Sequence, residues 1–144
     1  MQKRINIQEL EPKAYEIMFS LEKYLQTSSI SKTHLELIKI RASQINGCAF
    51  CLNIHTSDAL KNGETNQRIF LLNAWKETSL FTPEEKVILS LTEEITQISE
   101  KGVSDATYQL AEKMFEPNYL AQLIMAITVI NSWNRIAIST NKTI

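Results

Sequence analysis

The chain has 144 residues and a formal net charge of −1. That length suits a single domain over residues 1–144 with a core able to fold alone, and the charge balance leaves no basic footprint for nucleic acid. With 44% hydrophobic and 22% charged residues the composition is globular, and two cysteines do not make a disulfide scaffold. The opening MQKRINIQELEPK lacks the apolar stretch of a signal peptide, and the longest apolar run, YLAQLIMAITVI, is too short to span a bilayer. A soluble, cytoplasmic protein with no membrane partner is expected.

No alternating apolar/polar run is long enough for a strand, so the pattern predicts an all-α fold of about six or seven helices. Pro12, Pro83 and Pro117 sit at first helical positions, Gly63 and Gly102 follow helical patterns, and Gly47 separates two of them. A first helix is expected over about 11–26, with Tyr15, Met18, Phe19, Leu21 and Leu25 as its apolar side. A second starts after Ser31, an N-cap residue, and runs to about Ile45, with Leu35, Ile38, Ala42 and Ile45 at helical spacing. A third runs from near Cys48 to before Gly63, and a fourth over about 64–75. The fifth opens with TPEE, in which Thr82 is the N-cap and Glu85 completes a capping box, and it ends near Lys101. The sixth covers about 104–116 and the seventh about 118–138. That last helix is apolar almost all round, which predicts either a central core helix or burial by a partner subunit.

Both cysteines lie in INGCAFCLNIH, three residues apart, with a histidine four residues after the second. In a reducing compartment such a pair is redox-active or metal-binding more often than structural. On a helix, Cys48, Cys51 and His55 fall within a stripe about 60° wide. Gly47 lets the chain turn sharply just before, and a helix N-terminus stabilises a thiolate, whose proton a nearby imidazole can take. The preceding helix carries one acid, Glu36, amid Leu35, Leu37, Ile38 and Ile40. If the two helices form an antiparallel hairpin about Gly47, Glu36 and His55 lie at similar heights and a Glu–His–Cys relay is geometrically reasonable. Blander readings are two inert buried thiols, or a zinc set of two Cys, His and Glu, which ligands from one helix face fit poorly.

The spacing Glu36, Cys48, Cys51, His55 resembles the motif of the AhpD-like alkylhydroperoxidases of the carboxymuconolactone decarboxylase superfamily. The flank LIKIRASQINGCAFCLNIHTSDALKNGE and the later INSWNRIAI are also similar to that family, so the resemblance covers about residues 30–138. It implies an AhpD-like helical domain whose hairpin carries the site, assembled as a homo-oligomer, trimer or hexamer. It implies a thiol peroxidase that reduces peroxides through a Cys48–Cys51 disulfide, with no metal or organic cofactor and a dithiol reductant of thioredoxin-like or lipoyl type. Cys51 would be attacked by peroxide, Cys48 would resolve the sulfenic acid, and Glu36 and His55 would form the proton relay. The helix dipole alone would favour Cys48 as the reactive thiol, but the specific base near Cys51 outweighs it. One departure is Phe50, where well-studied peroxidases of the family carry a further histidine. The alternatives are a non-enzymatic redox sensor or interaction protein using the same pair, or a decarboxylase-like enzyme, against which the paired cysteines argue.

Away from this motif, His34 is expected at the surface of a helix start, and Glu93 and Glu94 on exposed helix faces. Trp75 and Trp133 are expected as core or interface anchors, and Asn131, Asn134 and Arg135 as caps or bridges between subunits.

Overall fold

The computed structural model describes residues 4–144, and every regular element among them is helical. The order is α1 (Ile7–Leu10), α2 (Pro12–Thr27), α3 (Lys32–Asn46), α4 (Ala49–Lys61), α5 (Asn66–Leu71), a 3-10 segment (Leu72–Glu77), α6 (Pro83–Thr96), α7 (Ile98–Lys101), α8 (Asp105–Met114) and α9 (Pro117–Ser139). Local chemistry sets these boundaries. Prolines open α2, α6 and α9, where a missing N–H costs nothing. Ser31 accepts from the His34 N–H, and Thr82 and Glu85 form the reciprocal capping box at the start of α6. The described residues form an all-α fold, as expected.

Three boundaries differ from the sequence pattern. The expected fourth helix kinks at Ala74 (φ −117°, ψ 25°) and finishes as the 3-10 segment. The expected fifth helix breaks at Gln97 (φ −100°, ψ 34°) and resumes for one turn as α7. The one-turn α1, capped by Asn6, had no periodic signal to announce it.

Helix α3 is the centre, packed against α4, α6 and α9. On one side Ile38 and Ala42 join Ile88, Leu91, Leu123, Ile127 and Ile130. On the other, Leu37 and Ile40 join Leu72, Trp75, Phe81 and Leu89. Each fully buried Leu or Ile here contributes about 1.5–3 kcal/mol relative to an exposed one. Because α3 is enclosed on most sides, the run from Leu35 to Ile40 is buried without interruption, and it takes the charged Glu36 and Lys39 inside with it. The apolar character of α9 is largely used within the chain, since only Met125 and Ile138 of its large apolar residues are exposed.

Polar residues lock α3 to α9 near the turn that follows. Asn134, fully buried, donates to Ser43 Oγ (3.0 Å) and accepts from Asn46 Nδ2 (2.8 Å). Asn131 accepts from Asn46 Nδ2 (2.9 Å) and from Arg135, and donates to Thr96 Oγ1 (2.9 Å). These residues therefore bridge helices of one chain. Glu93 and Glu94 are half-buried rather than exposed. Glu93 accepts from Trp75 Nε1 (2.7 Å), Lys76 (2.8 Å) and Arg41 (3.0 Å), and Glu94 accepts from Ser104 at the start of α8. Burial alone would raise the Glu93 carboxyl, but the bonds from Lys76, Trp75 and Arg41 outweigh it and hold it below its ordinary value. His34 is also half-buried and meets the Tyr119 hydroxyl at 2.7 Å.

Candidate active site

The site is built at the α3–α4 turn. Gly47 adopts a left-handed conformation (φ 69°, ψ 34°) that ends α3 and frees the chain to reverse. Cys48 follows as the N-cap of α4 with extended dihedrals, and its sulfur accepts from the Cys51 backbone N–H at 3.3 Å. A sulfur takes here the part that Ser or Asp plays at most helix starts. The two cysteines form a disulfide with their Cα atoms 5.3 Å apart.

The hairpin brings Glu36 and His55 together, with Glu36 Oε2 3.2 Å from His55 Nδ1. Neither atom is accessible to solvent, and neither has an aligned hydrogen-bond partner, so the contact is short but off-line. Buried polar atoms left in this condition are rare.

Beside the hairpin lies a pocket of about 350 Å³. Cys51, Glu36 and His55 line it from α3 and α4; Tyr15, Phe19 and Glu22 line it from α2; Trp133 and Ala137 line it from α9. Cys48 is not among the residues that line it; both cysteines, at 1% and 4% exposure, belong with Ala137 and Phe50 to one small apolar cluster. The structure thus gathers all four residues singled out in the sequence, and of the two cysteines Cys51 lines the pocket.

Several lining residues had escaped the sequence reading. Lys39 is buried and pairs with Glu22 across to α2. Its signal was the same as that of Glu36, a charge inside the apolar run LELIKI, one helical turn further on. Lys142, beyond α9, donates to the Tyr15 hydroxyl (2.9 Å) and lies 4.6 Å from the centre of the Phe50 ring. Nothing in its sequence surroundings marks it. Phe50, the residue before Cys51, is therefore part of an aromatic seat for a lysine. Glu36, His55 and Asp58 present ligand atoms within 4.8 Å of one another, a set of harder donors that excludes both cysteines and so differs from the zinc set considered above.

A model of the carboxymuconolactone decarboxylase family matches residues 12–94, which contain the whole hairpin. The uncharacterized protein YdfG of Bacillus subtilis (strain 168) is 48% identical over 139 residues, 96% of this chain and 95% of its own length. A solved structure from Agrobacterium tumefaciens, of a protein of unknown function named as a candidate antioxidant defence protein AhpD, has a TM-score of 0.95 at 34% identity and covers 99% of this chain and 97% of that one. An uncharacterized peroxidase-related protein from Silicibacter sp. TM1040 shares the fold, with a TM-score of 0.78 at 21% identity over 95% of this chain and 80% of that one. No helix among the described residues is long and apolar enough to cross a membrane. The family match takes in the cysteine-bearing hairpin and the likeness in fold extends over nearly the whole length: the chain belongs to the carboxymuconolactone decarboxylase family, among its AhpD-like members.

Proposed function

We propose that the protein is a thiol peroxidase that reduces hydroperoxides through the Cys48–Cys51 pair. The observation that carries this reading is that Cys51, and not Cys48, lines the pocket that Glu36 and His55 also line. In the reduced protein His55 takes the Cys51 proton, and the Glu36 carboxylate stabilises the imidazolium that results. The Cys51 thiolate attacks the terminal oxygen of the hydroperoxide, the O–O bond breaks, and the alkoxide leaves as an alcohol with the proton held by His55. Cys51 is now a sulfenic acid. The Cys48 thiolate attacks its sulfur, the S–S bond forms, and hydroxide leaves as water. A dithiol reductant, thioredoxin-like or lipoyl in type, then exchanges with the disulfide and is itself oxidised.

The cycle uses no metal or organic cofactor, and it requires a reducing compartment such as the cytoplasm. Assembly as a homo-oligomer, trimer or hexamer, is part of the same proposal, and exposed Ile17 and Tyr24 on α2 support it alongside Met125 and Ile138 on α9.

The test is peroxide consumption with a dithiol reductant, combined with a sulfenic-acid trap after one equivalent of peroxide. Cys48→Ser should stall with the trap on Cys51, and Cys51→Ser should barely react. Trapping on Cys48 in Cys51→Ser, with none on Cys51 in Cys48→Ser, reverses the roles. A single stoichiometric oxidation with a change in assembly and no turnover would make the protein a redox sensor instead.

A further inference from the structure

We propose that the pocket beside Cys51 is selective for organic hydroperoxides that carry a carboxylate, and that Lys142 is the residue that selects them. The inference deepens the peroxidase reading and rests on it for the fate of the ligand, though not for its binding.

Size comes first. A water molecule's share of liquid volume is about 30 Å³. The pocket, at about 350 Å³, is more than ten times that, so hydrogen peroxide would leave most of it unfilled. Its volume falls instead at the low end of the range for small-molecule sites, about 300–1,000 Å³.

The walls come next. Tyr15, Phe19 and Trp133 form an aromatic triangle with ring centres 5.2–5.4 Å apart. Phe19 remains exposed although it belongs to this group, so the triangle presents ring surface to the pocket and to solvent. Such walls take an apolar or aromatic body.

Charge decides the rest. Most charged groups around the pocket have a neighbour of their own within the chain: Lys39 faces Glu22, Asp58 faces Lys61 (3.3 Å), and Glu36 lies beside His55. Lys142 is the exception. Its ammonium donates to the neutral Tyr15 hydroxyl and rests on the Phe50 and Tyr15 rings, at 4.6 and 5.6 Å from their centres. No carboxylate pairs with it among the described residues. It is held on two aromatic faces in the wall of the pocket that Cys51 also lines. An ammonium so placed has donors left over for an anion, and a carboxylate on an apolar body would satisfy it and cover the aromatic wall at once.

In turnover, the bound carboxylate is a spectator. The Cys51 thiolate takes the terminal oxygen of R–O–OH, the O–O bond breaks, R–OH leaves with the carboxylate still attached, and the dithiol reductant supplies the two electrons.

The experiment compares 4-isopropylbenzoate with 4-isopropylbenzyl alcohol, which have the same ring and isopropyl body and differ in charge. Both are titrated by calorimetry into the wild-type protein, Lys142→Gln and Lys142→Arg. Lys142 is exposed and lies beyond the last helix, so the fold is expected to tolerate both substitutions. The carboxylate should bind about tenfold more tightly than the alcohol, a difference of about 1.4 kcal/mol. Lys142→Gln should remove most of that preference, and Lys142→Arg should keep it. Equal affinities, no binding by either compound, or a preference that survives Lys142→Gln would overturn the proposal. A second arm compares kcat/KM for cumene hydroperoxide and its 4-carboxy derivative. A higher value for the carboxylate that collapses in Lys142→Gln supports the proposal, whereas an equal slowing of both compounds would mean that Lys142 acts on the thiol and would overturn it. If the binding preference is found but neither hydroperoxide is consumed, the peroxidase reading fails and the carboxylate subsite stands.

Discussion

Glu85 on α6 and Glu36 on α3 are buried to nearly the same degree, at 5% and 8% exposure, yet their surroundings treat them in opposite ways. Glu85 has both oxygens engaged: Arg68 donates to each, at 2.7 and 3.1 Å, and the Thr82 N–H donates to one at 2.8 Å. Arg68 is held in turn by Glu64 at 2.8 Å. Glu36 has an oxygen facing an imidazole nitrogen at 3.2 Å with no aligned bond on either side. Burial of a carboxylate is thus not a mark of function. A carboxylate with its bonds complete fixes the fold, whereas one with capacity left over is the one to which the proposed function assigns a part in the chemistry.

The comparison makes unequal demands on the two residues. Glu85→Gln should cost about 2–3 kcal/mol in denaturant unfolding, because it strips charge-assisted bonds from Arg68. Its thiol chemistry should stay within about twofold of wild type. A loss of peroxide turnover without a loss of stability would break the distinction. Glu36→Gln should do the reverse. Turnover and thiol alkylation at neutral pH should fall about 100-fold, the low end of what a positioned acid–base group supplies, and the alkylation pH profile should move upward. The unfolding midpoint should hardly change, since no aligned bond is lost. An unaltered pH profile would remove Glu36 from the relay.

A neutral counterpart sharpens the point. Asn134→Ala removes the buried donor to Ser43 Oγ and one of the two acceptors of Asn46, which keeps Asn131, and should cost about 1–2 kcal/mol, measured by denaturant unfolding, with α3 and α9 loosened around the cysteine turn. The smallest effect concerns His34, which burial holds below its ordinary value of 6.5 against the opposing pull of Glu85 and Glu84. The unfolded chain then takes up the proton first as pH falls. The His34 contribution is complete above about pH 6.5 and is lost as pH drops from there toward the lower folded value. Urea midpoints between pH 7.5 and 5.5 should show this decline in wild type and less of it in His34→Gln. Glu85→Gln should extend it to lower pH by removing an attraction for the proton.

Much of this was legible in the sequence because it was written in local rules. Ser31, Thr82 with Glu85, and the three prolines announced helix starts, and Gly47 announced the reversal that brings Glu36 to His55. What escaped depends on tertiary surroundings. Glu93 looks like a solvated residue until Trp75, Lys76 and Arg41 arrive from other parts of the chain. Lys39 and Glu22 are separated by 17 residues and become partners only when α2 lies across α3. Gln97 sits in a helical pattern and breaks it for a reason that neither periodicity nor the surrounding contacts explain. Lys142 carries no pattern at all, since its position is fixed by aromatic side chains contributed from α2 and α4.

The composition of the pocket wall has one more consequence. Glu36, Cys48, Cys51 and His55 come from a single stretch of twenty residues, 36–55, whereas Tyr15, Phe19, Glu22, Gln26 and Lys142 come from the two ends of the chain. On the proposed roles, the reacting groups and much of the ligand-contacting wall come from different pieces of polypeptide, although the hairpin adds Lys39, Phe50, Ile54 and Asp58 to that wall. Exchanging the outer segments between relatives should transplant a preference for one compound over another, while the chemistry stays with the hairpin.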